Sequence, residues 1–320
     1  MSHMLVTGSA GFVGSHLSER LIADGHRVTG VDSFSDHYLR HLKDLNLAAL
    51  IAEPRFELVE RDLSSDPIID LLNGVDVVFH LAARPGVRDS WSDFADYVNA
   101  NIIGSRAVFD AAAATHTRVV YASSSSVYGD ASTLPVSENH PLRPVSPYGA
   151  SKVMTEVLAG AYASSYGLEA IGLRYFTVYG PRQRPDMGLS RFIEAAVSGQ
   201  AIPVYGDGCQ RRDMTYVGDI VTATLAAAER GHTGYVYNVA SGTQHTLLNI
   251  LDELGRVLNV PLLLVHEDAK PGDVRDTWGD ITSASADLIY KPSVTLHDGL
   301  EHQVLEAAKR RTLLTTQQQS

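Results

Sequence analysis

Apolar positions in the first half of the chain follow two alternating periods. Strand-length apolar runs recur at residues 4–7 (MLVT), 27–32 (RVTGVD), 55–63 (RFELVERDL), 75–83 (VDVVFHLAA), 118–124 (RVVYASS) and 169–176 (EAIGLRYF). Between them the spacing turns helical. In GSAGFVGSHLSERLIADG (8–25), Phe12, Val13, Leu17, Leu21 and Ile22 mark one helix face, and Gly25 suits its end. Longer helical stretches are predicted over 91–115 and 147–166. Strands alternating with helices of this length imply right-handed βαβ units around a parallel sheet. After Phe176 the rhythm changes: prolines and glycines cluster in VYGPRQRPDMG and IPVYGDG, and helices are predicted near 189–198, 217–230, 246–258 and 296–310. The expected architecture is α/β. A doubly wound parallel sheet spans 1–174, with returning segments at about 214–258. A smaller C-terminal α/β region, 175–213 and 259–320, is expected to bind substrate.

Composition narrows this picture. The 320 residues suffice for one large α/β domain or two modest ones, and 44% hydrophobic with 20% charged residues is ordinary for a globular protein. No apolar run reaches the roughly 18 residues that span a bilayer, so no membrane association is expected. No secretory leader is read at the start, where MSHM resembles a vector remnant, and the polar TTQQQS tail is expected to fray. Cys209, the single cysteine, excludes an intramolecular disulfide framework and suits a reducing, cytoplasmic setting. The net charge of −11 argues against a nucleic-acid binder and requires local arginines for any anionic substrate.

Candidate chemistry begins at TGSAGFVG, which places Gly8, Gly11 and Gly14 between a strand and a helix. Glycines there permit a tight turn and let backbone approach a pyrophosphate at a helix N-terminus. Asp32 lies 18 residues past Gly14, at the end of the second strand, where a carboxylate accepts from ribose hydroxyls. No arginine follows to receive a 2′-phosphate, so NAD is favoured over NADP. Asp62 follows the third strand and reads equally as an adenine contact or a helix cap. His80 reads as a satisfied strand-end residue. SPYGASK sets Tyr148 and Lys152 four residues apart on one helix face. A nearby ammonium favours a phenolate, which can take a proton from a substrate alcohol.

Together, TGSAGFVG, Asp32, HLAA, SSSSVYG, SPYGASK, RYFTVYGP, RRDMTYVGD and PGDVRDTWGD cover nearly the whole chain. The sequence resembles the extended short-chain dehydrogenase/reductases of the nucleotide-sugar epimerase and dehydratase type. That resemblance implies a Rossmann-type fold holding NAD, with a nucleotide-diphospho-sugar in the C-terminal cleft. It implies that Ser124 is the catalytic hydroxyl beside Tyr148 and Lys152. It implies cofactor contacts from Phe12, Val13, Leu63, Leu81, Ala82 and Ala83, and from Asn101, Ser123, Tyr175 and Val178, besides the glycines, Asp32, Asp62, Tyr148 and Lys152. It implies no metal. In relatives, helices matching 91–115 and 147–166 form a dimer interface, so a homodimer is expected.

Ser125 and Ser126 sort the chemistry. The 4,6-dehydratases carry an acid pair at these positions, and the UDP-glucuronate decarboxylases carry a glutamate at the second. Two serines point instead to simple epimerisation. Within the family, HLAARPGVRDSW, RYFTVYGPRQRPDM and RRDMTYVGD resemble the UDP-glucuronate 4-epimerases. Hydroxyls at Ser125, Ser126 and Thr177 suit a sugar carboxylate. Arg88, Arg184 and Arg191 are candidate ligand contacts, whereas Arg182 reads as a loop residue. Arg212 and Asp273 match the family's nucleotide contacts, and Lys270 stands where many relatives have arginine. The expected reaction is reversible C4 epimerisation of UDP-glucuronate and UDP-galacturonate through a 4-keto intermediate. The alternatives are a UDP-glucose/UDP-galactose 4-epimerase, a UDP-glucuronate decarboxylase, or a non-catalytic NAD-sensing protein.

Overall fold

The computed structural model describes residues 1–268 and 274–318. Lys270 and Asp273 lie outside the described residues. In chain order the strands are β1 (His3–Thr7), β2 (Arg27–Asp32), β3 (Phe56–Glu60), β4 (Val77–His80), β5 (Arg118–Ser124), β6 (Ala170–Tyr175), β7 (Thr177–Tyr179), β8 (Ile202–Tyr205), β9 (Arg211–Arg212), β10 (Met214–Tyr216), β11 (Val236–Val239), β12 (His245–Thr246) and β13 (Leu264–Glu267). The α-helices are α1 (Phe12–Ala23), α2 (Arg40–Ile51), α3 (Phe94–Tyr97), α4 (Gly104–Thr115), α5 (Pro147–Tyr166), α6 (Gly188–Val197), α7 (Val217–Arg230), α8 (Leu247–Leu258), α9 (Thr282–Asp287) and α10 (Leu296–Gln318).

Seven strands form one parallel sheet in the order β11-β6-β5-β4-β1-β2-β3. The chain starts in the middle, runs outward through β3, then crosses back to β4 on the other side of β1. That reversal opens a crevice at the C-terminal ends of β1 and β4, the place where open α/β sheets bind ligands. Alternate strand residues face opposite layers. Leu5, Val31, Val78 and Val119 pack with Val108 and Phe109 of α4 and Ala159 of α5. Val6, Val28, Phe79 and Val120 pack with Leu17 and Leu21 of α1, Leu47 of α2 and Ile220 of α7. Burial on both faces is why these strands read as near-continuous apolar runs.

Three departures from the sequence pattern have local causes. The single helix expected over 91–115 is divided into a 3-10 turn at Asp89–Trp91, α3, a π-helical turn at Val98–Ile103, and α4. The π turn carries the buried Asn101. No predicted element corresponds to α2. Its buried stripe is Lys43, Asn46, Leu47 and Leu50, a helical spacing hidden because two members are polar. The elements after β10 divide between two cores. α7 and β11 rejoin the main sheet, but α8 buries Ile250 and Leu254 with Leu189 and Ile193 of α6 and Leu300 of α10. The one-sided apolar face of α8 finds its partners in the C-terminal region. Conversely, Ala284 of α9, with Leu288 and Tyr290, packs into the main core although it falls within 259–320.

The glycine turn supplies a direct test. A Cβ on Gly14 would run into the carbonyl oxygen of Gly8, and neither backbone can give way. Gly14→Ala is expected to cost about 1–3 kcal/mol of stability, read as a lowered unfolding midpoint in urea; an unchanged midpoint contradicts the tight turn.

Candidate active site

The site grows from the turn after β1. Gly8 has φ +71°, its N–H donates to the Val31 carbonyl at 2.7 Å, and Gly11 N–H donates back to Gly8 O at 3.0 Å. A Cβ on Gly8 would lie 2.8 Å from the backbone nitrogen of Ala82, so the turns after β1 and β4 touch backbone to backbone. The result is a side-chain-free cradle at the N-terminus of α1, which fits a dinucleotide diphosphate. Asp32 ends β2 and is 7% exposed. Its carboxylate accepts from Ala10 N–H at 3.1 Å, Phe34 N–H at 2.8 Å and Lys43 Nζ at 3.3 Å. Lys43 is a residue that sequence reasoning missed, because α2 itself was not predicted. Its only sequence signal is the 43, 46, 47, 50 spacing.

A cleft of about 1860 Å³ runs from this cradle into the C-terminal region, larger than the roughly 300–1,000 Å³ of a single-ligand pocket. Gly8, Gly11, Phe12, Val13, Gly14, Asp32, Asp62 and Leu63 line it. So do Leu81, Ala82, Ala83, Ser123, Tyr148, Lys152, Tyr175 and Val178, with Ser124, Ser125, Ser126, Thr177, Arg88, Arg184, Arg191 and Arg212 further along. Asp62 also accepts from Ser64 N–H at 2.9 Å and Ser64 Oγ at 2.8 Å, closing a turn where no helix begins. Asn101, on the π turn, is buried. Its amide oxygen accepts from Arg84 N–H at 2.7 Å, and its nitrogen donates to Arg84 O at 3.0 Å and Ser151 Oγ at 2.9 Å. The π turn thus spends Asn101 on pinning the loop after β4 to α5.

The catalytic candidates converge where β5 meets the start of α5. Ser146 caps the helix by accepting from Gly149 N–H at 3.1 Å, and Pro147 opens it. A Cβ on Gly149 would sit 2.6 Å from Ser126 O, so only glycine lets the helix approach the serine loop this closely. Tyr148 is half-buried, its ring edge-on to Tyr97 at 6.2 Å. Burial raises the Tyr148 pKa above its ordinary value, against the hydrogen bond from Ser124 and the Arg184 guanidinium. Lys152 donates to Ala122 O at 2.9 Å. Burial pushes its ammonium down to about 8, with Glu156 acting in the other direction.

The substrate arm is more open. Arg88, on the loop after β4, lies over the Tyr205 ring of β8 at 5.2 Å and so spans the cleft mouth. Tyr205 also lines the cleft and was not singled out from sequence. Arg184 is held by two bonds of 3.0 Å to Asp186. Arg212 donates to the carbonyls of Arg211 and Arg275, both at 2.9 Å. Arg191 lies exposed on α6 at the cleft edge. Arg182 instead pairs with Glu19 of α1 at 2.6 Å. The hydroxyl of Ser123 donates to Glu156, and that of Tyr175 bonds Thr224 at 2.8 Å, so both reach the cleft with their hydroxyls already engaged.

Comparison with known proteins agrees with this geometry. The pattern of the NAD dependent epimerase/dehydratase family matches residues 4–240. A UDP-glucose epimerase of Bacillus subtilis that is itself uncharacterised, YtcB, is 39% identical over 94% of this chain and 96% of its own. The UDP-glucuronate 4-epimerase of Thermodesulfobacterium geofontis is 35% identical over 95% of each chain. The crystal structure of the Bacillus cereus UDP-glucuronic acid 4-epimerase, in complex with UDP-glucuronic acid and NAD, superposes with a TM-score of 0.92 at 38% identity, covering 96% of this chain and 99% of that one.

At the switch point, His80 bonds Thr7 Oγ1 at 2.8 Å through Nδ1 and Ser105 Oγ at 2.9 Å through Nε2. Burial, and secondarily the Lys152 charge, push it down to about 3. Between that value and the ordinary 6.5, the unfolded chain binds a proton that the folded protein refuses, so stability is lost as pH falls through this window. His80→Gln is expected to flatten that loss by up to about 1.4 kcal/mol per pH unit, measured by urea unfolding between about pH 4 and pH 7. Parallel curves for the variant and the parent protein contradict a neutral, buried His80.

Proposed function

The chain belongs to the NAD dependent epimerase/dehydratase family, and from that premise we propose that it interconverts UDP-glucuronate and UDP-galacturonate by inversion at C4, with NAD retained between turnovers. It is an NAD-dependent nucleotide-sugar 4-epimerase. The observation that carries the sugar assignment is the trio Ser125, Ser126 and Thr177. All three line the cleft beside Ser124 and Tyr148, and no acid stands among them to drive elimination or decarboxylation. Their hydroxyls can donate to a sugar carboxylate without adding charge, with the Arg184 guanidinium nearby. The Bacillus cereus and Thermodesulfobacterium geofontis relatives support the same sugar. The name of the Bacillus subtilis relative favours one second reading, a UDP-glucose 4-epimerase.

The glycine cradle, Asp32 and the small residues Ala82 and Ala83 are the groups that would hold NAD. When bound, NAD supplies a hydride acceptor for C4 and a positive charge that favours the Tyr148 phenolate. Tyr148 Oη takes the proton of the 4-hydroxyl, and Ser124 Oγ, hydrogen-bonded to it, shares the developing charge. Lys152 holds the ribose side of the cofactor. Arg212 and Arg88 grip the diphosphate while the 4-keto sugar turns about its link to it, presenting its other face. The hydroxyl trio fixes the carboxylate and so disfavours loss of CO2 from a β-keto acid.

We place the assembly as a cytoplasmic homodimer. Met154, 44% exposed, and Val157, 58% exposed, lie with the exposed Ala150, Gly160 and Ala161 along the outer side of α5. That apolar helix stripe supports packing against a second copy. The single Cys209 fits a reducing compartment. No helix among the described residues is long and apolar enough to cross a membrane.

Purified protein given UDP-glucuronate without added NAD is expected to yield UDP-galacturonate and no CO2, with kcat/KM at least about 100-fold above that for UDP-glucose. Tyr148→Phe should lower kcat roughly 100- to 10,000-fold. A preference for UDP-glucose selects the second reading. A UDP-pentose with CO2, or a fully active Tyr148→Phe, overturns the proposal.

A further inference from the structure

The proposed reaction leaves one buried carboxylate unused. Glu156 lies on α5 one turn past Lys152 and two turns past Tyr148, and its side chain is 6% exposed. Arg174 of β6 binds both its oxygens, through Nε at 2.9 Å and a terminal nitrogen at 2.7 Å. The Ser123 hydroxyl donates to the same carboxylate. Ser123 and Arg174 are register partners in the β5–β6 pair, and the next residue on β5 is Ser124. Arg174 continues to Tyr128 Oη at 2.7 Å and Glu138 O at 3.1 Å, and Tyr128 to Asn238 Oδ1 at 2.6 Å. Every member of this network is satisfied.

Stability alone does not call for such a pair. Desolvating two ions costs several kcal/mol, and well-packed apolar residues of similar volume often hold a core as firmly. A carboxylate does bring charge to this spot. The groups that act on Lys152 are the neutral His80 from β4, the Ala122 carbonyl from β5, and Glu156 on α5 itself, with Tyr148 one turn before Lys152 on the same helix. Arg174 pairs with the Glu156 carboxylate. Among these groups Glu156 is the one that favours an ammonium on Lys152 against burial.

We propose that Glu156 is a positioning residue of this site: it tethers Ser123, and with it the strand end that carries Ser124, and it supplies the negative charge that keeps Lys152 an ammonium. The assignment rests on reading Ser124, Tyr148 and Lys152 as the catalytic set. The chain has only five lysines, so Lys152 can be followed by NMR in protein labelled with ¹³C at lysine Cε, its signal identified by its loss in Lys152→Met. In Glu156→Gln the Lys152 titration midpoint is expected to fall by about one pH unit, a tenfold change in the ammonium ratio. The alkaline limb of the kcat–pH profile should move down with it, while the acid limb and KM stay in place. Glu156→Asp, which keeps the charge, should restore both.

Should Glu156→Gln leave Arg174 unpaired and fail to fold, the double variant Glu156→Gln/Arg174→Gln removes both ions and should move the midpoint in the same direction by a smaller amount, because the opposing Arg174 charge goes with it. An unmoved Lys152 midpoint, or a kcat loss that is uniform across pH, reduces Glu156 to a structural ion-pair partner and overturns the proposal. The NMR titration needs no turnover. A parent protein that leaves UDP-glucuronate unchanged therefore counts against the functional reading, whereas an active enzyme with an unmoved midpoint counts against Glu156 alone.

Discussion

The site depends on backbone meeting backbone without side chains in between. Gly8 lies against Ala82, Gly14 against the Gly8 carbonyl, and Gly149 against the Ser126 carbonyl. The first contact joins the turns after β1 and β4 at the floor of the crevice, the second opens the α1 N-terminus to a diphosphate, and the third brings Tyr148 to Ser124. At each point a methyl group would separate two elements that must touch. Interiors pack too densely to absorb such a displacement cheaply. The chemistry of the cleft is therefore set by residues that carry no chemistry.

Around those contacts, buried charges hold the remaining geometry. Asp32 is fixed by Lys43 and two backbone N–H groups. Asp213, fully buried, accepts from Ser241 N–H and Oγ, both at 2.7 Å, and from Gly279 N–H at 3.2 Å. Asp219 accepts from Ser293 and Val294. Each carboxylate joins segments far apart in sequence. Satisfied polar networks of this kind rigidify a site, whereas a half-satisfied one weakens it. A reaction in which the sugar must turn over while its reacting carbon stays in register benefits from walls that do not move.

Much of this was legible in the sequence because the informative residues lie in unbroken local runs. The glycine turn, the strand-end Asp32, the serine loop and the Tyr148–Lys152 spacing each sit in one short segment whose structure follows from local rules. Long-range partnerships were not legible. Lys43 meets Asp32 from a helix whose buried stripe is half polar, so its period was hidden. Asn101 bonds Arg84 and Ser151 from a π turn that nothing in the 91–115 pattern marks. RRDMTYVGD was read for Arg212, although its aspartates, Asp213 and Asp219, prove to be staples between distant segments. Tyr205 and Arg88 meet only because the two halves of the chain fold across the cleft.

The central claim is that the hydrogen at C4 leaves and returns inside one closed site, with Tyr148 handling only the hydroxyl proton. UDP-glucuronate carrying deuterium at C4, incubated with the purified protein in ordinary water without added cofactor, tests this directly. The account predicts UDP-galacturonate with its deuterium retained at C4, since that hydrogen never reaches solvent. Product with ordinary hydrogen at C4 would contradict it.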